Sequence, residues 1–151
     1  YVHKAYPPIY AALCEKVGFD SSLLIRGVEG GVMPSLRQQG LMISYHRGVE
    51  KAQVDIDPIL LGINRELRAI ALPKRFENGK ERDLLAEYVV NLGRSALSGE
   101  SGMFYDGLVY SASLILWHIG ESKTLPRAAD RVREVLNSGK VLNRLVDNDN
   151  C

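Results

Sequence analysis

The sequence predicts an α/β domain with its strands first and a helical layer last. Three observations carry that expectation. A continuous apolar triplet, Leu23-Leu24-Ile25, runs into a glycine-rich loop, Arg26-Gly27-Val28-Glu29-Gly30-Gly31. Two strand-like runs, Leu41–His46 and Ala52–Ile56, flank the glycine-containing loop Arg47-Gly48-Val49-Glu50-Lys51. Beyond residue 80, apolar residues recur at helical spacing in successive segments.

Taken in order, Pro7-Pro8 open a helix through about Val17, with Ile9, Ala12 and Leu13 on one face and Gly18 as its stop. Leu23–Ile25 shows no alternation, which suits a strand buried on both faces of a parallel sheet. In the hairpin, Met42, Ser44 and His46 share one face, and Leu41, Ile43 and Tyr45 the other. Asp57-Pro58 then punctuates the chain, and Gly62 ends a brief apolar stretch. Arg65 to Arg82 mixes charges with Pro73, Asn78 and Gly79, and reads as an exposed connection with a short strand near Leu67–Leu72. Glu81–Ala96 sets Leu84, Leu85, Tyr88, Val89 and Leu92 at helical spacing. Gly99-Glu100-Ser101-Gly102 is expected to be a plain helix–helix turn with Ser101 as cap. Met103–Ile119 is apolar almost all round and should be buried. Thr124–Asn137 begins with a Thr cap and an early Pro126, and stops at Ser138-Gly139. A last helix, Lys140–Val146, precedes a polar tail.

Composition bounds the function. The chain has 151 residues, enough for one α/β segment over 1–151 with a sizeable core. Its net charge of +1 gives no overall field for nucleic acid or an acidic membrane. The longest apolar run, near Leu114-Ile115-Leu116-Trp117, is too short to span a bilayer. Two cysteines, Cys14 and Cys151, make neither a disulfide framework nor a metal knuckle, which fits a cytoplasmic setting. The chain begins at Tyr1 rather than Met, so a start inside a larger protein is expected, with Tyr1, Tyr6 and Tyr10 packing against the preceding part.

The candidate site is the glycine-rich loop. Gly27, Gly30 and Gly31 allow a sharp turn or close approach to a ligand, and Glu29 is an oxygen donor suited to Mg²⁺. The plainer alternative is a tight turn with a solvated Glu. His3, His46 and His118 lack ligand spacing, and His118 reads as a hydrogen-bonded core residue. Arg65, Arg68, Lys74, Arg75, Lys80 and Arg82 form the densest basic group. Nucleic-acid binding there needs these side chains to converge, preferably with Phe76 as a stacking surface. No side chain stands out as a catalytic nucleophile or base.

The order of landmarks resembles the C-terminal half of the anthranilate phosphoribosyltransferase family, a branch of the nucleoside-phosphorylase-like glycosyltransferases. The matching features are the helix ending at Gly18, the run Leu23 to Glu29, the Leu41–Ile56 strand pair, and Asp57-Pro58 with Leu61-Gly62. Leu97-Ser98-Gly99, Gly102, Tyr110-Ser111-Ala112 and Asn137-Ser138-Gly139-Lys140 follow in the same order. The resemblance implies a central sheet with a hairpin and flanking helices. For the intact protein it implies Mg²⁺-dependent transfer of phosphoribose from phosphoribosyl pyrophosphate to anthranilate or a related aromatic amine, a step of tryptophan biosynthesis, in a homodimer. The family's adjacent Asp-Glu pair, which binds Mg²⁺, aligns with Glu29 and Gly30, so one carboxylate is kept and one is absent. Arg26 stands in place of the usual His. The resemblance therefore assigns Glu29 to metal and Arg26, Gly27, Gly30 and Gly31 to substrate. The family's diphosphate loop and acceptor-binding residues belong to the N-terminal part of such a chain, so this segment alone is expected to be inactive. The altered motif carries the alternative of a non-catalytic paralogue binding nucleic acid in the former active-site groove.

Overall fold

The computed structural model describes residues 1, 3–28, 31–71, 73–76 and 81–148, with side chains through residue 145. Helix α1 (Pro7–Val17) starts on two prolines, where a missing N–H costs nothing, and ends at Gly18 in the left-handed region (φ 101°). Strands β1 (Ser21–Ile25), β2 (Gly40–His46) and β3 (Val49–Ile56) form an antiparallel sheet in the order β1-β2-β3. Leu24 faces Ile43, and Ile25 faces Met42. The expected parallel sheet is thus corrected: β1 runs antiparallel to β2. Burial on both faces nevertheless holds. Leu24 joins Leu41, Ile43 and Tyr45 around Ala11 of α1, whereas Leu23 and Ile25 join Met42, Val54 and Ile56 in the main core. A strand covered on two sides reads the same whichever way its neighbour runs, so the triplet marks the layers and not the polarity.

The hairpin is tighter than expected. Arg47 and Gly48 both adopt positive φ (48° and 70°), the geometry of a two-residue turn whose twist matches the strands. β3 therefore starts at Val49 instead of Ala52. A register irregularity at Ser44/Tyr45 follows.

Four helices cover the other face: α2 (Arg82–Leu97), α3 (Met103–His118), α4 (Leu125–Asn137) and α5 (Lys140–Asn148). The central helix is α3, which buries Tyr105, Val109, Tyr110, Ser113 and Leu114. Against it α4 lays Ala128, Ala129, Val132 and Leu136, whose small alanines permit close approach. Thr124 caps α4 by accepting the Arg127 N–H at 3.4 Å. At the far end of α3, His118 hydrogen-bonds Ser44 Oγ through Nδ1 (3.0 Å) and Ser21 Oγ through Nε2 (3.2 Å). The ring so ties the edge and central strands to the helical layer, and burial lowers its pKa.

Three further expectations are corrected. α3 has no side-chain cap; Gly102 precedes it in extended conformation, so Ser101 does not serve. Residues 67–69 are bends and residues 70–71 are irregular, so no strand forms there; the segment is joined to the loop before β2 through a bond from the Leu36 N–H to the Arg68 carbonyl (2.9 Å). Residue 72 and the tail from residue 149 lie outside the described residues. In α1 the predicted apolar face is not the buried one: Ile9 and Leu13 are 56% and 52% exposed, and the helix rests on the sheet through Ala11. Among the described residues no helix is long and apolar enough to cross a membrane.

Candidate functional site

The site begins where β1 runs out. After Ile25, residues 26–28 leave the sheet and the loop closes on itself: the Val28 N–H donates to Met33 O (3.0 Å), and the Gly31 N–H donates to Val28 O (2.8 Å). That closure presses Gly27 against the Gly31 carbonyl, where a Cβ on Gly27 would overlap backbone atoms. Glycine is required at 27 by this contact and not by an unusual φ.

The opposite wall comes from the segment leading into β2. Ser35 Oγ accepts the N–H groups of Gln38 (2.9 Å) and Arg37 (3.3 Å), which folds residues 35–38 into a tight turn. Leu36 is fully buried and pins this turn to the core. Gln39 Nε2 donates to Asp57 Oδ2 (2.8 Å), while Asp57 Oδ1 accepts the Ile59 N–H (2.9 Å) and caps the short turn Pro58–Leu61. Between these walls lies a polar cavity of about 240 Å³ that reaches down to Tyr110 on α3. Tyr110 is completely buried, and its hydroxyl has no hydrogen-bond partner among the described residues. Burial, and then the Asp57 carboxylate, push this phenol well above its ordinary pKa, so it stays protonated.

The sequence-predicted residues divide across the loop. Arg26 and Gly27 line the polar cavity. Gly31 instead lines an apolar groove of about 600 Å³ on the other side, with Leu23, Ile25, Val32, Leu114 and Ile115. Glu29 and Gly30 lie outside the described residues. Sequence reasoning missed Ser35, Gln38, Gln39 and Tyr110 as cavity residues, and saw Arg68, which also lines the cavity, only as part of a charged connection. Tyr110 lies in a helix that also carries Tyr105, Asp106, Ser111 and Ser113, so its sequence context does not single it out.

The basic group does not act as one patch. Arg65 pairs with Asp106 on α3 (2.5 Å), and Arg75 lies over the Phe76 ring (4.5 Å to its centroid). Phe76 is buried against Tyr88, so it offers no face to a nucleic-acid base. Lys80 lies outside the described residues.

No protein-family model matches the chain. It is similar to an uncharacterized protein of Aquifex aeolicus (strain VF5), with 26% identity over 137 residues that cover 87% of this chain and 38% of that protein. Its fold is similar to that of a solved structure, the anthranilate phosphoribosyltransferase (TrpD) from Thermus thermophilus, with a TM-score of 0.64 and 22% identity. That match covers 96% of this chain and 40% of the solved one. The chain therefore spans about two-fifths of the length of each protein. What the two folds share is a mixed α/β architecture, here a small antiparallel sheet with flanking helices.

Proposed function

We propose that this chain is part of a phosphoribosyltransferase-type glycosyltransferase and that the loop after β1 serves its donor substrate. The observation that supports this most is the self-closed turn at Gly27, set at the end of β1 in a fold similar to that of the Thermus TrpD. In the intact protein, phosphoribosyl pyrophosphate and anthranilate, or a related aromatic amine, are the substrates of this reading. The ribose C1–O bond to diphosphate breaks, a C1–N bond to the amine forms, and the amine nitrogen gives up a proton. Pyrophosphate leaves. Such a reaction needs charge neutralisation and positioning, and no covalent intermediate on the protein.

Each loop residue has a part. Arg26, exposed at the loop mouth, supplies positive charge to a phosphate. Gly27 keeps the backbone compact where the loop closes on Gly31. Among the described residues no three His, Cys, Asp or Glu side chains come together as a metal site, so Glu29 is the one ligand this reading takes from the chain. Mg²⁺, when bound with substrate, offsets the diphosphate charge.

The remaining parts of the reading concern the longer protein. The exposed face of α1, with Ile9, Leu13 and Val17, and the edge of β1 that faces away from β2 are the surfaces on which the N-terminal part of a longer chain packs. A homodimer belongs to the same proposal. The alternative is a non-catalytic protein holding nucleic acid in this groove, for which the missing carboxylate at Gly30 argues.

One substitution separates the two. Gly30→Asp is expected to tighten Mg²⁺-dependent binding of phosphoribosyl pyrophosphate to the intact protein roughly tenfold, as the second carboxylate adds a metal ligand. Calorimetric titration with and without Mg²⁺ reads this directly. An unchanged affinity, together with oligonucleotide binding that falls steeply with salt, favours the alternative.

A further inference from the structure

We propose that Met33, seated in a notch at Gly107 of α3, is a positioning residue that holds the loop after β1 in its closed form. The part it plays in donor binding rests on the transfer reading above; the anchoring itself does not.

The starting point is the one glycine inside α3. Gly107 is buried in the middle of that helix. Glycine in a helix interior costs stability relative to alanine, because it has more backbone freedom to lose. Its φ is not positive, so the backbone conformation gives no reason for it. Space does. A Cβ at Gly107 would collide with the methyl carbon of Met33 and lie 3.5 Å from its sulfur. An unbranched, adaptable thioether suits such a gap.

Met33 is also where the loop closes. Its carbonyl accepts the Val28 N–H at 3.0 Å, and the Val28 carbonyl in turn accepts the Gly31 N–H at 2.8 Å. One residue therefore joins the loop to itself through its backbone and to the helical layer through its side chain. Its neighbours on the loop side offer no substitute: Arg26 and Gly31 are exposed, and Val32 is 87% exposed. Pro34 and Leu36 are buried, but they come after the closure and fix the segment leading into β2. The loop follows one stripe of α3, with Gly107 at Met33 and Ser111, one turn on, beside Gly31 and Val32 in the apolar groove. Release of the Met33 side chain thus removes the tie that keeps the Val28 bond in place, and with it the shape of the loop that carries Arg26 and Gly27.

The test is amide hydrogen exchange in the intact protein without any ligand, so its outcome does not depend on phosphoribosyl transfer. Gly107→Ala displaces only the end of a flexible side chain, so α3 is expected to fold and its core amides, Leu114 among them, to keep their protection. The Val28 amide should exchange at least about tenfold faster. Met33→Ala, which empties the notch, should speed it by a similar factor. The double variant should show no more than the larger single effect, since both changes remove the same contact. Calorimetric titration with phosphoribosyl pyrophosphate and Mg²⁺ should then show binding weakened by a comparable factor in each single variant. Unchanged Val28 exchange in Gly107→Ala, or single effects that multiply in the double variant, overturns the proposal. Faster Val28 exchange in the variants, with no binding of phosphoribosyl pyrophosphate by the wild type, upholds the anchor and overturns the donor reading.

Discussion

Gly27→Val is expected to destabilise the protein by about 1–3 kcal/mol and to abolish ligand binding at the loop. A Cβ at position 27 would overlap the carbonyl of Gly31, and backbone cannot give way as the end of a flexible side chain does. The contact is closed by two bonds, from Gly31 to Val28 and from Val28 to Met33, so relieving the clash opens the loop that carries Arg26 on one side and Gly31 on the other. Chemical denaturation measures the stability loss, and calorimetric titration of the intact protein with phosphoribosyl pyrophosphate and Mg²⁺ measures the binding loss. Gly27→Ala should show the same direction, because the first carbon already makes the overlap. Wild-type stability and binding in both variants would mean that the loop does not close as described.

Leu114→Ala should cost more, about 2–5 kcal/mol, the range for truncating a fully buried leucine that leaves a cavity. Leu114 is 1% exposed on α3, in the same core as Met42 and Ile56 of the sheet and Val132 and Leu136 of α4. Its removal therefore loosens the seam between the sheet and the helical layer. For a protein with a total margin of about 5–15 kcal/mol, that is a large share. Equilibrium unfolding in urea checks the value. A loss below about 1 kcal/mol would contradict the packing of α3 as the central helix.

Much of the architecture was legible because its signals are local. Pro7-Pro8, Gly18, and Thr124 with Pro126 bound their helices as helix-end chemistry requires. The parts that were not legible depend on what packs where. The triplet Leu23-Leu24-Ile25 records two covered faces, and these arise equally in parallel and antiparallel sheets. Periodicity groups Ile9 with Leu13, but it does not say that the smaller Ala11 is the residue that meets the sheet. The two-residue turn at Arg47-Gly48 puts an arginine at positive φ, a conformation that non-glycine residues seldom adopt and that the sequence does not announce.

The candidate site divides in the same way. Arg26 and Gly27 were visible in the glycine spacing of a loop after a strand. Tyr110 was visible only as a helix-interior residue, since nothing in a one-dimensional pattern tells where a phenol oxygen ends up. Ser35, Gln38 and Gln39 sit in a plain polar stretch and acquire meaning from the fold that carries them to the loop.

The central claim is that the loop after β1 serves phosphoribosyl transfer, and its most direct test is turnover by the intact protein. Anthranilate fluorescence is followed in the presence of phosphoribosyl pyrophosphate and Mg²⁺, beside a Glu29→Ala variant. The account predicts a Mg²⁺-dependent loss of fluorescence in the wild type that disappears in the variant. Fluorescence that stays constant at every Mg²⁺ concentration, or that falls equally in the Glu29→Ala protein, would contradict it.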